Sequence, residues 1–280
     1  MVVSYVNKYK LCEAIIFRKN WNGRDSKMKR FVTMGRGGSG KTTFVALMTK
    51  YFIEKGETPL LLVDVDPDQN LSEMVGADLS EEGRKTVSEL LIETFLDRGG
   101  TTVGVPPSHR LESKIWEAGL YEGEHFDMMA IGTKFIEGCY CLPDAALKKV
   151  LESLTKSYSY VLIDSPGGLE HLNRRIASQV DDIFDIIDPS QKSFNHVARA
   201  YKVAKEVKIE FNNFYVVGGN RVPDEWEAEV EKRTKLQYLG KISKDKQVEE
   251  YVLLGKSLID LPETSAAYHS VKKIMQKAGY

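Results

Sequence analysis

The chain has 280 residues, 42% hydrophobic and 28% charged, with a formal net charge of −1. That length and composition suit one large α/β domain, and the near-zero charge removes any global electrostatic case for nucleic-acid binding. No apolar run approaches the roughly 20 residues that cross a bilayer, the opening segment has no small-residue cleavage site, and three cysteines make no disulfide framework, so a cytoplasmic protein with neither membrane nor nucleic acid as a partner is expected.

Residues 1–27 stand apart as a basic extension or leader, with Met28 as the functional beginning and 28–280 as one domain. Strand and helix then alternate. Arg30–Met34 reads as a strand and Lys41–Lys55 as an amphipathic helix. Between them lies GRGGSGKTT, residues 35–43. Gly35, Gly40, Lys41 and Thr42 meet the phosphate-loop pattern G-x-x-x-x-G-K-[ST]. Gly35, Gly37, Gly38 and Gly40 let backbone N–H groups turn inward around phosphate oxygens, with Ser39 and Thr43 completing the loop. The helix that begins near Gly40 adds its positive dipole end. Lys41 would reach the β- and γ-phosphates and Thr42 would hold Mg²⁺.

Pro59–Asp64 is a continuous apolar strand of the kind buried on both faces, and it runs into VDVDPDQN. There Asp66 can orient an attacking water or hold a metal-bound one. Helices follow to about Arg98, Gly99–Pro107 reads as a loop, Phe126–Ile131 as a strand, and Pro143 as a helix start. Ahead of that helix, Cys139 and Cys141 form a C-x-C pair, which fills half a tetrahedral metal site; a two-fold axis nearby would supply the other half. Such thiolates suit Zn²⁺, Ni²⁺, Cu(I) or an Fe–S cluster. Tyr160–Asp164 is a strand ending in a carboxylate that should reach the Mg²⁺ shell, and Gly167 can offer its N–H to a γ-phosphate. Ile183–Ile187, Tyr215–Val217 and Tyr238–Ile242 are weaker strands separated by helices. The alternation implies a doubly wound, mainly parallel sheet with helices on both faces and ligands at the carboxyl ends of the strands.

Several of these segments carry a resemblance. GRGGSGKTT is similar to the deviant Walker A loop (G-K-G-G-x-G-K-T) of the class that includes the septum-site and partition ATPases and the nitrogenase iron protein. DVDPDQNL resembles that class's first switch and LIDSPGGLEHL its second. The resemblance implies a P-loop ATPase domain that binds ATP and ADP and closes as a homodimer around nucleotide. The first loop lysine then crosses to the partner's phosphates. Here that position is Arg36, which keeps the charge and adds a forked donor set. An Asn in an N-[RK]-x run reads the adenine edge in this class, which points to Asn220 with Arg221 beside it. With GCYC, the run Asp188–Ser190 and GNRV added, the chain resembles the CooC-type nickel-insertion ATPases. These imply that Cys139 and Cys141 bind Ni²⁺ or Zn²⁺ at the dimer interface and that the client is carbon-monoxide dehydrogenase or acetyl-CoA synthase. Two rivals stand beside this reading. One is an iron-protein-like reductase with a bridging Fe–S cluster, although this chain has no Cys in the second switch. The other is a partition or septum-site switch, in which Val271, Ile274 and Met275 would anchor a membrane rather than pack a terminal helix. None of the five histidines, His109, His125, His171, His196 and His269, has metal spacing with another His or Cys.

Overall fold

The computed structural model describes residues 28–95, 106–132, 141–167 and 179–280. Residues 1–27, Cys139, His171, the GLEHL run and most of the Gly99–Pro107 stretch lie outside the described residues, as does the side chain of Cys141.

The first strand, β1 (Lys29–Gly35), lies inside an eight-stranded sheet. Its neighbours are β5 (Tyr160–Asp164) on one side and β6 (Gln179–Ile187) on the other, both parallel to it. Beyond β5 come β2 (Leu60–Asp64) and β4 (Phe126–Ala130). Beyond β6 come β7 (Glu210–Gly218) and β8 (Tyr238–Lys241). All these pairings are parallel. The exception is the short edge strand β3 (Tyr121–Glu122), antiparallel to β4, which the sequence pattern does not separate from its surroundings. Two residues are too few to show an alternation of their own.

Parallel strands need helical crossovers, and those helices cover both faces. Successive residues of β1 point to opposite sides, so Phe31 joins one apolar layer while Val32 and Met34 join the other. The first layer holds α1 (Lys41–Glu54), α2 (Asn70–Val75) and α9 (Ala266–Lys277). Val271, Ile274 and Met275 are buried there, so the stripe on α9 packs the core. The second layer holds α3 (Val87–Phe95), α4 (Pro107–Lys114), α5 (Cys141–Leu154), α6 (Gln191–Glu206) and α7 (Glu227–Thr234). α5 opens at Cys141, two residues before Pro143; proline is tolerated in a first turn, where its missing N–H would be unpaired anyway.

Helix α1 is enclosed on almost every side: Phe44, Leu47, Met48 and Phe52 are each fully buried, worth about 2 kcal/mol apiece. Near the amino ends of the strands the rings of Phe31, Phe52, Tyr160 and Tyr280 pack together, with Phe52 and Tyr160 stacked at 4.1 Å. The Tyr280 hydroxyl donates to Asp182, and its carbonyl accepts from Tyr51. The loops at the opposite, carboxyl ends carry the motif residues. Among them is α8 (Lys246–Leu253), which follows β8.

Candidate active site

The phosphate loop connects β1 to α1. Gly35 has φ +139, and a Cβ there would sit 2.3 Å from the Ile186 carbonyl oxygen of β6. Only glycine lets the loop leave the strand so close to its neighbour. Gly38 and Gly40 also have positive φ, +73 and +99. Gly40 is the N-cap of α1 and supplies no side-chain cap, whereas Ser190 caps α6, Asp245 caps α8 and Ser265 caps α9. The α1 terminus therefore keeps its positive end free for an anion.

Two other backbone segments close on this loop. A Cβ on Gly167 would meet the Gly37 nitrogen at 2.8 Å, so the segment after β5 lies directly on the loop. A Cβ on Gly219 would meet the Ser39 carbonyl oxygen at 2.4 Å. That contact brings Asn220 and Arg221 to the same place, and Arg221 donates to the Gly38 carbonyl at 3.3 Å. Residues separated by more than 180 positions in sequence are thereby assembled around Gly35–Thr43. Sequence reasoning passes over Gly219; the Gly-Gly pair ahead of Asn220 is the available signal.

Lys41 is 6% exposed, and its Nζ donates to the Arg36 carbonyl at 3.4 Å, folded back over its own loop. Asp164 ends β5 and is buried. Burial pushes its carboxyl up to about 6, partly offset by the nearby Thr42 hydroxyl and the Lys41 charge. Still, no hydrogen bond of ordinary geometry reaches either of its carboxylate oxygens, and the buried Ser39 hydroxyl is also without a partner. Orphaned buried oxygens beside an uncapped helix terminus are what a cation held by phosphate would satisfy. The donor set of Thr42 and Asp164 therefore fits Mg²⁺.

Asp64 ends β2 opposite Asp164 in the strand register. Its carboxylate accepts from the Asp66 N–H at 3.0 Å and the Leu71 N–H at 3.1 Å, so it organises the loop that carries Asp66. Burial and the neighbouring Asp164 charge raise Asp64 to about 7, against the pull of those two N–H groups. Asp66 is partly exposed, at the edge of the site.

Arg36 does not extend away from the molecule. Its guanidinium donates to the Ser190 hydroxyl at 3.4 Å and lies 3.9 Å from the Asp188 carboxylate. Burial raises Asp188, but the Ser190 hydrogen bonds and the Arg36 and Arg221 charges outweigh it, so Asp188 sits below the usual carboxylate range. In this structure Arg36 is thus engaged within its own chain. Nothing local in the sequence couples position 36 to a loop more than 150 residues away.

A family model described as an AAA domain matches residues 31–216. The chain belongs to this family. An uncharacterised ATP-binding protein of Methanocaldococcus jannaschii is 35% identical over 248 residues, covering 87% of this chain and 95% of that one. The carbon monoxide dehydrogenase accessory protein CooC of Rhodospirillum rubrum is 26% identical over 193 residues, 65% of this chain and 71% of that one. A ParA family ATPase from Chlorobium tepidum has a similar fold, with TM-score 0.66 at 16% identity over 88% of this chain and 96% of that chain. The protein is a P-loop ATPase of α/β architecture. Among the described residues no helix is long and apolar enough to cross a membrane, and no cluster of three or more His, Cys, Asp or Glu side chains forms a metal site.

Proposed function

We propose that this ATPase is a nucleotide-switched homodimer that inserts nickel into a client metalloenzyme, with carbon-monoxide dehydrogenase the leading client and acetyl-CoA synthase a related one. The observation that carries the reading is the C-x-C pair, Cys139 and Cys141, in a P-loop ATPase whose relatives include a carbon monoxide dehydrogenase accessory protein. Two copies of the pair around a two-fold axis would give four thiolates, a set suited to Ni²⁺ or Zn²⁺.

In this reading the loop amides of Gly35–Thr43 and the α1 terminus hold the phosphates. Lys41 leaves the Arg36 carbonyl for the β- and γ-phosphates. Thr42 and Asp164 hold Mg²⁺, which when bound supplies positive charge to the transferring phosphoryl group. Asp66 orients the water that attacks the γ-phosphorus while the bond to the β–γ bridging oxygen breaks. Gly167, packed on Gly37, offers its N–H to the γ-phosphate and so reports whether that group is present. Asn220 and Arg221 flank the base and phosphate side. Arg36, freed from Asp188, would act on the partner's phosphates. Loss of the γ-phosphate contacts relaxes the dimer and changes the geometry of the shared thiolates, a population shift driven by differential contacts.

The test is metal analysis and size-exclusion of anaerobically purified protein with ADP and with ATP. Wild type is compared with a Cys139→Ala/Cys141→Ala variant. The expected result is a nucleotide-dependent dimer sharing one metal ion, with the variant folded and hydrolysing ATP but free of metal. Unchanged metal content in the variant, or a monomer under every condition, overturns the proposal. Strong iron–sulfur absorption would put the reductase in its place. Sedimentation with DNA or liposomes would put the partition or septum switch there.

A further inference from the structure

From Phe31 to Met34, strand β1 is apolar except at Thr33, whose side chain is fully buried. The Thr33 carbonyl accepts both the Ser165 N–H, at 3.1 Å, and the Ser165 hydroxyl, at 2.6 Å. The Thr33 hydroxyl, in contrast, has no hydrogen-bond partner. A buried hydroxyl without a partner costs stability, and valine would fill the same space without that cost. Packing alone does not account for threonine here.

The strand register supplies a reason. Thr33 pairs with Asp164 across β1 and β5, and Asp164 pairs with Asp64 across β5 and β2. Neighbouring strands lie about 4.8 Å apart, and side chains alternate between the two faces along each strand. Two residues earlier in these strands stand Phe31, Leu162 and Leu62, which are likewise paired and all belong to the layer that contains α1. Thr33, Asp164 and Asp64 therefore form a polar row on the face that α1 covers. Asp64 is taken up by the N–H groups of Asp66 and Leu71. Asp164 has the Thr42 hydroxyl near it on the loop side and Thr33 beside it on the sheet side. Two unsatisfied groups, the Thr33 hydroxyl and the Asp164 carboxylate, thus stand as neighbours with no hydrogen bond joining them.

We propose that Thr33 is a positioning residue: its hydroxyl donates to Asp164 when that carboxylate engages Mg²⁺, and so fixes which oxygen is presented to the metal shell. The inference rests on the reading that Thr42 and Asp164 hold Mg²⁺. A carboxylate free to turn presents its oxygens in many orientations. A donor on the sheet side holds one oxygen and leaves the other facing the loop. The bond is strongest to an ionised carboxylate, which is the form a dication favours. Thr33 touches neither phosphate nor metal; it acts through Asp164.

The experiment measures the affinity of wild type, Thr33→Val and Thr33→Ser for a non-hydrolysable ATP analogue, once with Mg²⁺ and once with EDTA. The ratio of the two is the metal's contribution. Thermal denaturation without nucleotide is followed alongside. Thr33→Val is expected to lose roughly tenfold or more of that contribution, the scale on which outer partners of metal ligands act, while its affinity in EDTA stays within about twofold of wild type. Without nucleotide the same variant should melt at or above the wild-type temperature, because valine removes an unpartnered hydroxyl. A residue that only packs would give the reverse: a lower melting temperature and an unchanged metal contribution. Thr33→Ser keeps the hydroxyl and sheds the methyl, so it should melt lower and yet keep most of the metal contribution. An unchanged metal contribution in Thr33→Val overturns the proposal. So does a Thr33→Val protein that is unfolded or melts well below wild type, and so do equal losses in the valine and serine variants. Asp164→Asn separates the two levels. If it keeps the metal contribution, Mg²⁺ is not held by Asp164 at all; if it loses it while Thr33→Val does not, only the role of Thr33 falls.

Discussion

Replacing Gly35 by alanine tests the construction of the loop. At φ +139 an L-residue carries strain of about 1–3 kcal/mol. The added methyl would stand 2.3 Å from the Ile186 carbonyl oxygen, well inside van der Waals contact. That oxygen belongs to β6, which pairs with β1 in register at this residue, so it can retreat only by distorting the ladder. Overpacking of this kind costs a further ~1–3 kcal/mol. The sum, about 2–6 kcal/mol, should lower the melting temperature of a domain this size by roughly 4–12 °C, at about 2 °C per kcal/mol. Gly37→Ala is the internal control: a methyl added there would have no heavy atom within 4 Å, and its φ lies outside the left-handed region, so its melting temperature should stay within about 2 °C of wild type. Thermal and urea denaturation of the three nucleotide-free proteins measures both effects. Gly35→Ala melting as Gly37→Ala does would refute the claim that the backbone geometry of the loop requires glycine at its first position.

Two further outcomes are expected. Asp188→Ala should release Arg36 from its own chain and strengthen ATP-dependent dimerisation by up to about fivefold, since a part-exposed pair at 3.9 Å is worth at most ~1 kcal/mol; analytical ultracentrifugation would show it, and an unchanged dimer constant would dismiss the restraint. Stability without nucleotide should fall from pH 7 to 8.5. Asp64 at about 7 and Asp185 at about 8 are raised above their unfolded values, so the folded state holds more protons there, and the stability this brings disappears as pH climbs through those values. Urea midpoints read this directly, and a midpoint that rises over the interval contradicts it.

Strands β2 and β5 are legible because each is an uninterrupted apolar run ending in a carboxylate: LLLVD at Asp64, YVLID at Asp164. Burial on both faces leaves such a run little alternative. The phosphate loop is legible because its glycines and lysine serve a backbone geometry that is local. Contacts across the fold are not. The hold of Asp188 and Ser190 on Arg36, and the approach of Gly219 to Ser39, join segments whose proximity depends on sheet order, which no window of sequence contains. In sequence Asp64 looks as much like a turn residue as a functional one; its two backbone N–H bonds show it gripping the loop that presents Asp66. Asp185 escapes notice there because β6, QVDDIFDII, already carries Asp181 and Asp182 and shows no clean periodicity for a third acid to break.

The packed rings of Phe31, Phe52, Tyr160 and Tyr280 give the molecule a polarity that its topology alone does not. One rim of the sheet is welded by aromatic stacking, and the opposite rim consists of glycine-bearing bends resting on one another. Helix α1 links the two rims, running from the phosphate loop at Gly40 to Phe52 among the rings.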